Sequence, residues 1–318
     1  MKSLNIIDVG ARFGIHPSNL ILKNIANHHL IEADENECLK LRKIYKNNSN
    51  VKIYKEFISN KKKNNYFIYS HPGGSSSLKP NPESYYWSDF RKGSSKIIKK
   101  SKVNCVSLDK LIDRYDIAPC FLKIDVEGHE VSVLKSSIKS LKKYILGARV
   151  EVELNSLYLN HEASFNEVYK LFKLVNFEFM NFDLFSNSFS PFSNYYSTST
   201  YGQLIGCDAI FIKSPKKFFS LSEDDQIYYI IFCLNNNLQD LAINLLSKIS
   251  TKKKIIERLK YRNPLIFKYI EKEIAKLFFS LRDKPRFSLE HFSKIWSKIF
   301  GKSNKWIKHG DFYSRFPL

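Results

Sequence analysis

The 318-residue chain is 43% apolar and 14% aromatic, enough to bury one full core with material left for a second, smaller unit, which excludes a disordered chain. Its net charge of +20 fits a nucleic acid, an anionic membrane surface or a phosphorylated substrate as partner, and equally a gene whose base composition favours Lys, Asn, Ile, Phe and Tyr together. Cys38, Cys105, Cys120, Cys207 and Cys233 form no Cys-x-x-Cys pair and have no His pattern beside them, so neither a metal site nor a disulfide framework is expected, and a reducing cytoplasm fits.

Leu4, Ile6, Ile7 and Val9 make a nearly continuous apolar run, the pattern of a central strand covered on both faces. Asp8 interrupts that run. Gly10 and Gly14 permit a tight turn and a close approach of backbone to a ligand. His16-Pro17-Ser18-Asn19 then opens a helix, about Pro17 to Asn27, whose first amides face the same space. The strand begins almost at the N-terminus, so no removable leader is expected. No apolar run approaches the ~20 residues of a bilayer span. Asp-x-Gly-Ala-x-x-Gly differs from the Gly-x-Gly-x-x-Gly of dinucleotide binders, although a glycine turn after a strand also serves as a plain connection. An acid with fewer glycines suits a cofactor carrying hydroxyls and a cationic group better than a pyrophosphate. S-adenosylmethionine has a ribose, an ammonium and a sulfonium.

His29 to Asp34 reads as a second strand ending in acids, with Glu32 placed 24 residues after Asp8. In open α/β folds an acid at that position accepts hydrogen bonds from ribose hydroxyls. Asp34 suits the cap of a helix from Glu35 to Tyr45. Val51 to Lys55, Asn65 to Ser70 and Val103 to Leu108 are further strands. Between the last two, His71 to Ser95 is rich in Gly, Ser, Pro and Tyr, and too long for a simple connection. It is expected to act as a lid or acceptor loop. The lysine clusters 61–63 and 96–102 beside it read as solvated faces.

Asp109 begins a short helix that Ala118-Pro119 stops. Phe121, Leu122 and Ile124 then carry a buried strand, and Asp125, Glu127 and His129 arrive where it ends, on the ligand side of a parallel sheet. Gly128 turns the chain into a helix from Glu130 to Lys142. Ala148 to Leu154 alternates, with Glu151 and Glu153 on one face, expected near the strand's exposed end or lining the pocket. A helix from Phe165 to Leu174 follows, then a closing strand pair, Phe177 to Asp183 and Cys207 to Lys213. The loop from Ser186 to Tyr201 between them could cover the pocket.

Two stretches now agree in order and spacing: Ile7-Asp8-Val9-Gly10-Ala11-x-x-Gly14, and Leu108-Asp109 followed by Leu122-Lys123-Ile124-Asp125-Val126-Glu127-Gly128-His129-Glu130. Together they resemble the FkbM family of S-adenosylmethionine-dependent methyltransferases, over about residues 4 to 213. Gly74-Ser75-Ser76-Ser77-Leu78, Val150-Glu151-Val152-Glu153 and Asp208-Ala209-Ile210-Phe211-Ile212 also look like the family's pattern, whereas Ala33 stands where the family usually has a proline. The resemblance implies a Rossmann-like, doubly wound α/β fold. Its seven-stranded sheet would be mostly parallel, with one antiparallel strand near an edge. The implied activity is O-methylation of a hydroxyl, often on a sugar or polyketide-like metabolite.

The resulting division is a methyltransferase domain at 1–213 and a basic helical region at 214–318. Residues 216–318 hold 21 Lys/Arg against 10 Asp/Glu. Helices are expected at Gln239 to Ile249, Lys253 to Tyr261, Pro264 to Leu281 and Leu289 to Phe300, with Ile227 to Leu234 a core helix segment. In the last helix Phe292, Ile295, Trp296, Ile299 and Phe300 share one face, which suits packing on a core or contact with a membrane surface. No nucleic-acid module is recognisable, so no nucleic-acid partner is expected. The expected cofactor is S-adenosylmethionine, held by Asp8, Gly10, Ala11, Gly14 and Glu32. The acceptor is a small molecule or glycan, and its proton goes to Asp125, Glu127 or His129, with Asp125 the first choice. The rivals are a nicotinamide-dependent oxidoreductase on the same sheet and a basic nucleic-acid- or membrane-binding protein.

Overall fold

The structure is a computed structural model and describes residues 3–118, 120–160, 164–183, 188–190, 202–253, 255–281 and 289–300. Strand β1 (Asn5–Val9) has all but its first residue buried, as its apolar run predicts for a strand in the sheet interior. β2 (Asn27–Glu32) pairs with it in parallel, and β3 (Val51–Lys55) pairs with β2 in the same sense. β4 (Phe57–Ile58), β5 (Lys63–Tyr69) and β6 (Ile97–Val106) leave this sheet and form one of their own, in the order β4-β6-β5. β7 (Phe121–Ile124) returns to the other side of β1, and β8 (Gly147–Glu153) lies parallel beside β7. β9 (Phe177–Phe182) and β10 (Ser188–Ser190) both run along the outer side of β11 (Gln203–Lys213), which is antiparallel to β8.

The main sheet is therefore β3-β2-β1-β7-β8-β11, with β9 and β10 sharing one edge position. That makes seven positions, mostly parallel, as expected. Strand order reverses between β1 and β7, and in such sheets the crevice at the carboxyl ends of the reversing pair is where ligands bind. Asp8 and Asp125 stand at those ends.

Helices α1 (Glu35–Ile44), α2 (Leu108–Arg114), α3 (Glu130–Lys135), α4 (Ile138–Lys143) and α5 (Phe165–Leu174) complete this part. Two predicted helices are cut short. The first is only a 3-10 turn, Pro17–Leu22. β2 starts two residues earlier than predicted, with the Asn27 amide bonded to Leu4 O at 2.8 Å, and strand pairing claims what would have been the helix end. The predicted 130–142 helix breaks at Ser136-Ser137. Their hydroxyls donate back to Val133 O and Leu134 O, the local competition that disfavours serine inside helices. Asp109, in the first turn of α2 as expected, also accepts the amides of Lys139 (3.0 Å) and Ser140 (2.8 Å) and so caps α4. Ser107 caps α2.

The core between the sheet and α5 is aromatic. Phe172 stacks on Phe211 with centroids 4.1 Å apart and planes at 12°. Ile7, Leu122, Ala148, Val150 and Val152 are buried in the same cluster.

The chain divides into two compact units, Ser3–Phe219 and the part from Ser220 onward. The second is helical: α6 (Glu223–Asn235), α7 (Gln239–Lys253), α8 (Ile255–Arg262), α9 (Pro264–Leu281) and α10 (Leu289–Phe300). Every residue of α6 from Gln226 to Leu234 is buried, so this is a helix apolar all round, at the centre of its unit. On α10, Trp296, Ile299 and Phe300 are buried, and the helix packs on α7 and α8. Phe292 lies outside the residues whose side chains are described. Among the described residues no helix is long and apolar enough to cross a membrane.

Candidate active site

At the end of β1 the amides of Gly10 and Ala11 both donate to Ile31 O (3.0 and 3.1 Å), which folds the turn back onto β2. Gly10 has φ +84°, and a Cβ there would lie 1.7 Å from Asp125 O. The glycine thus makes the tight turn expected of it, and the neighbouring strand end requires it as well. Gly10→Ala should cost about 2–3 kcal/mol, read as a lowered midpoint of chemical denaturation. An unchanged midpoint would show that the two strand ends separate freely. Gly14, at φ +100°, faces the Tyr45 hydroxyl, which accepts the Ile15 amide at 3.0 Å.

Beside this turn sits a knot of acids around Arg12. Its guanidinium lies 3.0 Å from Asp34, 3.8 Å from Glu37 and 3.9 Å from Glu32. Asp34 caps α1 through the amides of Asn36 and Glu37, and Glu32 accepts the Asp34 amide at 2.8 Å. Burial raises the pKa of Glu32 despite Arg12.

At the end of β7, the buried Lys123 ammonium lies 3.1 Å from Asp125 and 3.3 Å from Asp8. The charge is shared unequally. Burial drives the Asp8 carboxyl up more than Lys123 pulls it down. For Asp125 burial also acts upward, but Lys123 outweighs it and the pKa falls below its ordinary value. Lys123 itself is raised, because the two carboxylates overcome the cost of burying its charge. His16 lies 4.0 Å from Asp208. Burial and the Lys123 charge take its pKa down to about 4, so at neutral pH this is a contact of a neutral ring. Arg149 forms ion pairs with Asp183 and with Asp208, the latter at 2.9 Å.

Past Asp125 the chain enters the left-handed region at Glu127 (φ +57°) and Gly128 (φ +87°). A Cβ on Gly128 would meet Tyr158 at 2.8 Å. This turn brings acids together. Asp125, Glu127 and Glu151 each offer a carboxylate oxygen within 4.8 Å of the others, an arrangement open to a cation that spacing along the chain did not reveal. Burial, with Asp125 next to it, pushes Glu127 up to about 8. Glu130 and Glu153 are likewise raised to about 8, chiefly by burial, and Glu151 goes up for the same reason.

The glycine- and serine-rich segment is tied down onto this turn. Ser76 donates to Glu127 O (2.5 Å), Ser77 bonds His129 Nδ1 (3.0 Å), and Tyr158 donates to the Glu127 carboxylate (2.7 Å) and to Gly74 O (3.3 Å). The Trp87 indole donates to Leu157 O at 2.7 Å. Together the two glycine turns and this segment enclose a cavity of about 680 Å³.

Of the residues selected from the sequence, Asp8, Gly10, Gly14, Glu32, Asp125, Glu127 and His129 line that one cavity. Ala11 does not, and packs instead with Ile15 and Leu30 in a small apolar cluster. The expected lid contributes His71, Gly73, Gly74, Ser75, Ser76, Ser77, Tyr86 and Trp87 to the wall. Apart from β10, the second expected cover, Ser186 to Tyr201, lies outside the described residues. Glu151 reaches the acid cluster, while Glu153 is buried and accepts the Leu157 amide at 3.2 Å. Sequence reasoning gave no role to Arg12, Lys123 or Tyr158. Lys123 carried a signal, being a lysine inside an apolar strand. Tyr158 carried none.

A family model described as the methyltransferase FkbM domain matches residues 8–179. No curated protein matches the chain. Among solved structures, the methyltransferase FkbM from Methylobacillus flagellatus KT is similar at 15% identity and a TM-score of 0.37, over 66% of this chain and 43% of that one. The Methanococcus jannaschii fibrillarin pre-rRNA processing protein is similar at 11% identity and 0.37, over 66% of each chain. The M. capricolum TrmK in complex with S-adenosyl-homocysteine gives 12% and 0.32, over 85% of this chain and 92% of that one. The chain thus spans less than half the length of the first of these.

Proposed function

The chain belongs to the methyltransferase FkbM family, and on that premise we propose that it transfers the methyl group of S-adenosylmethionine to a hydroxyl of a sugar, glycan or secondary metabolite. The observation that carries this reading is the charge of the cavity. In a protein of net charge +20, the wall holds, besides Glu127, four carboxyl groups, on Asp8, Glu32, Glu56 and Asp125, against two Lys/Arg, Arg12 and Lys123. Such a wall attracts a cationic ligand and repels a pyrophosphate. The residues therefore fit S-adenosylmethionine, with Glu32 on the ribose hydroxyls and the Asp8–Gly14 turn beside it. The cofactor supplies a methyl group activated by its sulfonium, and the protein positions the acceptor in line with it. Titration calorimetry with S-adenosylhomocysteine should give heat and NAD should give none. The reverse pattern would overturn the reading in favour of an oxidoreductase.

Glu32→Ala removes a charge-assisted acceptor and should weaken S-adenosylhomocysteine binding by about 1.5–3 kcal/mol. Arg12 retains Asp34 and Glu37 as partners, so the fold should survive, and an unchanged Kd would remove Glu32 from the site.

The acceptor hydroxyl must lose its proton. Asp125 was the first choice by position, but a carboxylate held below its ordinary pKa by Lys123 is a weak base. Glu127, with a pKa near 8, is matched to the task, and we assign it the role. The methyl-transfer chemistry is further assigned to the first unit alone, since every residue lining the cavity precedes residue 130. A fragment ending at Phe219 should bind S-adenosylhomocysteine with the affinity of the full chain. Loss of binding in a folded fragment would show that the helical unit completes the site.

A further inference from the structure

We propose that the free edge of β6 is a docking surface for an anionic lipid membrane. β6 meets β4 only at Cys105 and Val106, so among the described residues Ile97–Asn104 has β5 on one side and no strand on the other. In the register, Ile68 faces Lys99 and Tyr69 faces Ile97, which leaves Ile98 as the extra residue of a bulge. A bulge re-aims its extra side chain, and Ile98 is 61% exposed, with Ile97 beside it at 37%. Along the chain on either side of this apolar point, Lys92, Lys96, Lys99, Lys100 and Lys102 are all exposed. The sequence has no Asp or Glu from Phe90 to Leu108 to offset them.

Lysines on a sheet edge also prevent two sheets from pairing, but that role calls for no exposed isoleucine in their midst. Apolar side chains ringed by lysine are what an anionic bilayer surface takes up, the lysines at the headgroups and the isoleucines below them. A nucleic acid fits less well. Bases stack on exposed rings, and the rings of β5, on Tyr66, Phe67 and Tyr69, are buried. The surface adjoins the cavity: the Ser70 amide bonds Lys96 O (2.8 Å), the His71 amide bonds Ser94 O (3.0 Å), and His71 lines the cavity wall. The docking surface stands on this geometry alone. That it brings a lipid-linked acceptor to the cavity rests on the methyl-transfer reading.

The test is co-sedimentation of the full chain with vesicles of phosphatidylcholine, with and without phosphatidylglycerol. Binding is expected only with the anionic lipid, and weaker as salt rises. Lys100 covers the Phe67 ring at 5.7 Å and is left alone. Reversal of three lysines, K96E/K99E/K102E, should reduce vesicle affinity about a hundred-fold or more, and Ile98→Ser should weaken it several-fold even at physiological salt. Both variants should keep the wild-type denaturation midpoint and S-adenosylhomocysteine affinity. The proposal is overturned if anionic vesicles are not bound at low salt, if binding survives both variants, or if an oligonucleotide binds the same surface more tightly than the vesicles do. Vesicle binding that depends on these residues in a protein that binds no S-adenosylhomocysteine would leave the docking surface standing and remove only the methyl-transfer reading.

Discussion

Glu127→Gln should lower turnover of the true acceptor by about 10²–10⁴-fold, the contribution typical of a positioned general base, while leaving S-adenosylhomocysteine affinity close to wild type. The shape of the pH profile matters as much as the size. Burial, with Asp125 beside it, raises the folded-state pKa of Glu127 from an ordinary 4.5 to about 8, so the carboxyl is mostly protonated at neutral pH. Wild-type activity should therefore rise with pH and level off above about 8, and the variant should lack that limb. The sign for stability is opposite. A raised pKa means that the native state holds a proton the unfolded chain releases, so the contribution is full below pH 4.5 and declines as pH rises towards 8. Glu127→Gln should flatten that decline. A variant with normal turnover and an unchanged pH limb would return the role to Asp125 or His129.

What was legible in the sequence was whatever is written in consecutive residues. The apolar run of β1, the acids at the ends of β2 and β7, and the serines after Gly74 each signalled a strand end or a loop, and Asp8, Glu32, Asp125, Glu127 and Ser75 to Ser77 line the cavity. Interruptions by local hydrogen bonding were harder to see. The hydroxyls of Ser136 and Ser137 each satisfy a carbonyl three residues back, while the hydrophobic pattern that suggested one long helix continues through them. Least legible were the groups that act through partners distant in sequence. Tyr158 reaches Glu127 only because the loop after β8 passes over Gly128, and Glu151 joins Asp125 only because β8 lies beside β7 in that register. A second reason for Gly10 stayed hidden on the same ground. The carbonyl that a Cβ there would strike belongs to Asp125, just past a strand that begins more than a hundred residues later.

Lys123 is where that cross-sheet chemistry is most exposed to test. Its side chain is almost fully buried between Asp8 and Asp125, and Lys123→Met keeps the volume while removing the charge. Breaking one side of a buried ion pair leaves carboxylates without compensation, at a cost of about 3–5 kcal/mol. The cost must depend on pH. In the wild type, the folded-state pKa of Asp125 lies below 3.8, so its stabilising contribution is present above that value and lost as pH falls through the lower folded one. Without Lys123 burial dominates, both carboxyls shift upward, and ionising them destabilises the fold wherever the unfolded chain is already ionised. The gap between wild type and variant should thus be widest at neutral pH and shrink as pH is lowered towards the ordinary carboxylate value. Adding Asp8→Asn should recover part of the loss at neutral pH, because one of the stranded charges is gone, and the two substitutions should be strongly non-additive. Denaturant midpoints of the three variants at neutral and acidic pH decide the matter. A deficit of the same size at both, unaffected by Asp8→Asn, would mean that Lys123 contributes packing and that its charge holds neither strand end.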